Sequence, residues 1–295
     1  VILPGDLILA VAFLKRLLMD QRHIRRSPLR DEIKRLQRNP RIPLFLDRQR
    51  ELTTFFGLGW RDLISLYASA GSPNSVGFRQ HLDSCFAGRT SPGLLKGAYE
   101  DAAMLYSMRL MLAFERYSML VPYMAFLPSG AGPGSAIDVL DYGGGVSDIG
   151  LLLAGRGARV TLCDLDDAKL SFAAWRYRVR GFELTTLPVT DPETLPVFPA
   201  ESYDLIVTTE IFEHLRDPLA ALTNVARALR MGGCLFDSMG GVFHRDEQGD
   251  HLPEAMAIGT SGEYRSAYGR LFEPVDAGPG RTFLFRRRGG QASCR

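Results

Sequence analysis

The stretch Val139-Leu140-Asp141-Tyr142-Gly143-Gly144-Gly145-Val146-Ser147-Asp148-Ile149-Gly150 leads an apolar segment through a glycine turn into the start of a helix. Glycines at such a turn let a ligand lie directly on the backbone, where a Cβ would block its approach. A dinucleotide site spaces them G-x-G-x-x-G and opens onto a pyrophosphate at the helix N-terminus. Counted from Gly143, that pattern requires glycine at 148, where Asp148 stands. A carboxylate facing a pyrophosphate would repel it. A phosphate-gripping loop fails too, because no Gly-Lys-Ser/Thr follows.

Three further segments match the spacing of one family. They are Val160-Thr161-Leu162-Cys163-Asp164-Leu165-Asp166, then Val189-Thr190-Asp191 leading to Ser202-Tyr203-Asp204-Leu205-Ile206-Val207, then Thr209-Glu210-Ile211-Phe212-Glu213-His214-Leu215 with Arg227 to Gly233 behind it. With the glycine turn they resemble the class I S-adenosylmethionine-dependent methyltransferases, of the ubiquinone and natural-product type. The resemblance runs from about residue 137 to 238 and implies S-adenosyl-L-methionine as cofactor.

It also implies roles. Asp141 organises the loop and helps to hold the methionyl ammonium, and Gly143 and Gly145 admit the cofactor, with Tyr142 and Gly144 beside them. Asp164, with Leu165 next to it, accepts from both ribose hydroxyls, a task that suits a bidentate acceptor-only group. Asp191, preceded by Thr190, accepts from the adenine amino group, and Thr209 and Glu210 complete the cofactor contacts. Two departures stand out. Ser147 replaces a usual glycine and is expected to cap the following helix, and Met231 replaces a proline where Gly232 is expected to close a helix.

Methyl transfer needs alignment of a nucleophile behind the methyl and exclusion of water. A base is needed only if the acceptor must lose a proton. His214 and His251 are the candidates, each with a capping or surface role as its plainer reading; His244 and Asp237 rank below them. Glu213 reads as a helix-start residue, and Asp166 and Asp167 read as helix caps. No metal is expected.

Short, largely apolar segments separated by helical ones place strands at 137–142, 159–163, 183–188, 203–208 and 233–238. Helices fall at 149–155, 168–180 and 218–229. Segments 269–275 and 282–287 flank the turn sequence Asp276-Ala277-Gly278-Pro279-Gly280 and read as a hairpin. The expectation is an α/β, doubly wound, mainly parallel seven-stranded sheet with a terminal antiparallel hairpin, preceded by an α-helical N-terminal region. Helical periodicity near 6–22, 28–38, 46–56, 60–69 and 94–120 defines that region. The Gly/Pro-rich stretch 127–135 sets the division into residues 1–130, on the acceptor side, and 131–295, the cofactor domain. Tyr99, Tyr106, Arg109, Tyr117 and Tyr123 are candidates to line a pocket for a planar or lipophilic acceptor.

With 46% apolar and 23% charged residues, the chain is neither disordered nor a membrane protein by composition. Cys85, Cys163, Cys234 and Cys294 lack metal or redox spacing, which fits a cytoplasmic protein. The apolar run 7–14 is shorter than the ~20 residues of a membrane span. Its positive charge follows rather than precedes it, against a secretory leader. The net charge of +2 hides a basic first fifty residues, from Lys15 to Arg50. That run reads first as a solvated helix face, although it suits an anionic membrane surface or RNA. Small-molecule methylation is the leading function. Methylation of nucleic acid or protein through the basic region is the alternative, and a cofactor-binding scaffold is the third.

Overall fold

The computed structural model describes residues 45–57, 59, 119–128, 136–191, 194–238, 241, 243, 251–275 and 282–289. Helix α1 (Phe45–Phe56) and a 3-10 turn (Val121–Tyr123) precede the sheet. There follow β1 (Asp138–Tyr142), α2 (Asp148–Ala154), β2 (Arg159–Leu165), α3 (Ala168–Val179), β3 (Thr185–Val189), β4 (Tyr203–Thr208) and a 3-10 turn (Phe212–His214). The chain continues through α4 (Pro218–Ala228), β5 (Leu229–Asp237), α5 (Pro253–Gly259), α6 (Gly262–Leu271), β6 (Phe272–Pro274) and β7 (Leu284–Arg287).

The strands form one seven-stranded sheet in the order β3-β2-β1-β4-β5-β7-β6. The first five run parallel, and β7 is antiparallel to both β5 and β6. Alternate residues of the central strands enter opposite cores. Val139, Leu205, Val207 and Phe236 pack on one face, and Leu140, Ile206, Leu235 and Phe285 on the other. Each such side chain, fully buried, contributes about 1.5–3 kcal/mol, so both faces must be covered by helices, as in parallel sheets generally. The order reverses between β1 and β4, which opens a crevice at their carboxyl ends, the usual ligand position in this architecture.

Local signals set the helix starts. Asp167 accepts from the Lys169 amide at 2.7 Å, Asp217 from Ala220 at 2.8 Å with Pro218 behind it, and Ser261 from Tyr264 at 3.1 Å. The Asp167 cap matches expectation; no capping bond of Asp166 is seen among the described residues.

Two expectations fail here. The helix before β5 ends at Ala228, within a residue of the expected 229, but Gly232 does not close it: the fully buried Leu229 already pairs with Tyr203, so β5 begins there and not at 233. Arg230 then turns out to bind Asp204 at 2.6 Å and Asp138 at 2.9 Å, and the strand bulges before Cys234 resumes pairing with Leu205. The terminal hairpin is shorter than expected, because residues 269–271 finish α6 and leave only Phe272–Pro274 as strand.

The expected helices at 6–22, 28–38 and 60–69 and most of 94–120 lie outside the described residues, as do the turn 276–280 and the basic run from Lys15 to Arg41. Among the described residues no helix is long and apolar enough to cross a membrane.

Candidate cofactor and acceptor site

Asp141, next to last in β1, is almost fully buried, 1% exposed, and its Oδ2 accepts from Ser147 Oγ at 2.6 Å. Gly144 lies over this carboxylate: a Cβ there would come within 2.4 Å of its carbon. Ser147 therefore does not cap α2 through its side chain, contrary to expectation. Its hydroxyl is committed to Asp141 and, at 3.1 Å, to the Tyr177 hydroxyl, while its backbone takes the left-handed conformation at φ 49°. Gly143 and Gly145 also have positive φ, 68° and 57°. The space over Gly143 is filled by the Ile211 side chain, 2.6 Å from where a Cβ would stand. Its missing side chain serves that packing.

At the end of β2, Asp164 Oδ2 accepts from the Gly145 amide at 2.6 Å and Oδ1 from the Leu165 amide at 2.8 Å. Each oxygen keeps a further lone pair for a ligand hydroxyl. Burial pushes this carboxyl up from its usual range, while Lys169 and the two amides pull it down. Leu165 next to it is 39% exposed, a large apolar surface beside an acceptor pair. Thr190 and Asp191 follow β3 on the surface, Asp191 Oδ2 accepting from Thr194 Oγ1 at 2.7 Å. Since β3, β2 and β1 are neighbours, Asp191, Asp164 and Asp141 stand at the carboxyl ends of adjacent strands. This row of acceptors beside a glycine loop fits an elongated cationic nucleoside such as S-adenosylmethionine.

Other expected contacts are placed differently. The Tyr142 ring is buried against Phe198, centroids 5.1 Å apart. Thr209 is 5% exposed; Glu210 is on the surface at φ 54°, with its amide donating to Ser238 Oγ at 2.9 Å. Asp148 does not confront a ligand at all. It is buried and ion-paired with Arg176 at 2.6 Å, so the mismatch with the dinucleotide pattern stands but repulsion by this carboxylate does not. Tyr123 is packed into the core, its ring on Phe236 and its hydroxyl accepting from the Phe283 amide at 3.0 Å. Tyr99, Tyr106, Arg109 and Tyr117 lie outside the described residues, as does His244.

The two candidate histidines meet. The His214 and His251 rings stand edge to face with centroids 5.3 Å apart. The Leu252 amide, donating to the Glu213 carbonyl at 3.1 Å, ties the segment after β5 to the turn after β4. Glu213, read from sequence as a helix-start residue, is 1% exposed. One donor atom from each of Glu213, His214 and His251 lies within 4.8 Å of the others. Two imidazoles and a carboxylate make a donor set suited to proton transfer or to a divalent transition metal. Behind it, Asp237 is fully buried and accepts from Tyr268 at 3.0 Å and from the Gly241 amide at 2.9 Å, a structural assignment for this weaker candidate. Burial, with the charges of Asp237 and Glu213, raises the Tyr264 phenol, which stays protonated. A groove of about 810 Å³ bordered by Arg227, Arg270, Arg287 and Arg288 lies at the other end of the sheet, away from this chemistry.

A glycine loop at the reversal of strand order, acceptors at the ends of three adjacent parallel strands and an antiparallel β7 are the arrangement of class I S-adenosylmethionine-dependent methyltransferase domains. Residues 140–236 match the methyltransferase domain family. The chain is 31% identical over 100 residues to a ubiquinone biosynthesis O-methyltransferase of Stutzerimonas stutzeri, covering 34% of this chain and 43% of that one. To the protein of the same name from Hahella chejuensis it is 35% identical over 103 residues, covering 34% and 42%. The chain thus spans less than half the length of these relatives. Among solved structures, an S-adenosylmethionine dependent methyltransferase from Mesorhizobium loti is 22% identical with a TM-score of 0.33, covering 40% of this chain and 52% of that one.

Proposed function

We propose that the chain is an S-adenosylmethionine-dependent methyltransferase whose acceptor is a small molecule bearing a phenolic hydroxyl. The observation that carries this reading is the convergence of Glu213, His214 and His251 immediately after Ile211, the residue that packs on the cofactor loop. The names of the relatives add an O-methylation precedent. Bound S-adenosylmethionine supplies a methyl group made electrophilic by its sulfonium. Asp164 and Asp191 hold the nucleoside end, and the backbone of 143–145 admits the methionyl end near Asp141. His251, half-buried beside Glu213, would take the proton of the phenolic hydroxyl whose oxygen accepts the methyl as the sulfonium leaves as a neutral thioether, and His214 flanks the same approach. Residues 1–130 form the acceptor side and 131–295 the cofactor domain. Free thiols at buried Cys163 and Cys234 suit a reducing cytoplasm.

The same donor set favours a second reading, in which a divalent cation on Glu213, His214 and His251 binds the phenolate in place of a histidine base. The test is transfer of isotopically labelled methyl from S-adenosylmethionine to catechols and quinone precursors, with bulk RNA and protein as competing acceptors. Measurements are made before and after chelation and on adding back manganese or zinc. Labelled phenol ether is the expected product. Label found only in RNA or protein would overturn the acceptor class, and absence of calorimetric binding of S-adenosylmethionine at millimolar concentration would overturn the enzyme itself.

A further inference from the structure

Arg176 on α3 is fully buried, and each nitrogen of its guanidinium is used separately. Nε donates to Glu51 Oε2 on α1 at 3.0 Å, one terminal nitrogen to the Val146 carbonyl at 2.8 Å and the other to Asp148 Oδ1 at 2.6 Å. Val146 and Asp148 are the two neighbours of Ser147, the non-glycine residue held at φ 49° whose hydroxyl anchors Asp141. A left-handed conformation at a residue with a Cβ costs energy and persists only where its surroundings fix it. Arg176 grips the chain on both sides of that point.

Glu51 is the other half of the arrangement. It is 6% exposed and binds Arg180 as well, at 2.5 Å. Among the described residues, Glu51, Asp148, Arg176 and Arg180 form one ion-paired set of two carboxylates and two guanidinium groups. Without Glu51, the fully buried Arg176 and its neighbour Arg180 would lose the carboxylate they share, and breaking such a buried set is strongly unfavourable. Helix α1 is further seated by Phe55, whose ring centroid is 5.2 Å from that of Phe172 and 5.6 Å from that of Trp175.

We propose that Arg176 is a positioning residue for the cofactor loop and that Glu51 sets it, so that seating of α1 completes the cofactor site. The proposal rests on the cofactor reading above. It makes the region ahead of the sheet part of the site energetically, through one buried guanidinium, although α1 belongs to a different part of the chain. Whatever displaces α1 then weakens cofactor binding, and cofactor binding in turn favours the seated helix, as linkage requires.

Calorimetric titration with S-adenosylmethionine and hydrogen exchange of the ligand-free protein test this together, on the full chain. In Glu51→Gln, affinity is expected to fall about tenfold, within the range usual for coupled sites. Amides of 144–150 should exchange faster while those of β4 and β5 keep their wild-type protection, and Glu51→Asp should recover part of both. Should Glu51→Gln not fold, Phe55→Ala loosens α1 from the other side and is read by the same two measurements. A lowered melting temperature with wild-type affinity and wild-type loop exchange would overturn the proposal. If the wild-type chain itself does not bind S-adenosylmethionine, the cofactor reading falls instead, and the loop exchange of Glu51→Gln still decides whether the grip exists.

Discussion

The His251 ring stands edge-on to the ring of His214, 5.3 Å between centroids, although one follows β5 and the other follows β4. What joins them is the adjacency of those two strands in the sheet and the Leu252–Glu213 backbone bond at 3.1 Å. Glu213 supplies a carboxylate to the same point, inside the protein rather than on its surface.

Replacing His251 by alanine is expected to lower kcat by about 10²-fold, the lower range for loss of a general base, with calorimetric affinity for S-adenosylmethionine unchanged. His214→Ala should give a smaller loss of the same kind. Equal kcat in both variants and wild type, measured at saturating cofactor, would remove the pair from the chemistry.

Asp164 gives a pH dependence of definite sign. Its carboxyl is raised, first by burial, so on acidification the ionised form that accepts hydroxyls is lost earlier than for an ordinary carboxylate. Affinity for S-adenosylmethionine should therefore fall from neutral pH downward in wild type. In Asp164→Asn it should be weaker by about 10-fold or more, from loss of a charged acceptor, and flat over the same range. For folding the sign reverses: a raised native pKa means that ionising Asp164 costs stability as pH rises through the window between the unfolded and native values.

Two glycines separate packing from backbone entropy. At Gly144 an added Cβ would stand 2.4–2.5 Å from the Asp141 carboxylate, whereas at Gly269 on α6 nothing lies within 4 Å. Gly144→Ala is expected to destabilise by about 1–3 kcal/mol and to impair cofactor binding. Gly269→Ala should stabilise by about 0.5–1 kcal/mol. Urea unfolding of both measures the contrast, and a stable Gly144→Ala that binds normally would show that the loop tolerates a side chain over Asp141.

The glycine turn, the acids after β1, β2 and β3 and the strand–helix alternation were legible in the residues because each is a local matter. Strand period, helix caps and the spacing of an acid from a strand end are set within a few positions. Boundaries were less so. Gly232 was expected to close the helix before β5 and the strand to start at 233, but Leu229 gains more by filling the core and pairing with Tyr203, so the strand begins four residues earlier. Ser147 was expected to be a cap; Asp141, buried and needing a donor, claims its hydroxyl.

Sequence by itself thus determined the class of domain and the ends of the strands where a cofactor can lie. The tertiary structure decided which groups act together. Asp148 looked like a charge turned towards a ligand and is instead neutralised by Arg176; Glu213 does open a 3-10 turn, as read, but also meets two histidines; Glu51 carried no signal and reaches the cofactor loop through one buried guanidinium. The reason is physical. A buried charge must find a counter-charge wherever the fold brings one within reach, and that distance is fixed by the packing of helices on a sheet, not by separation along the chain.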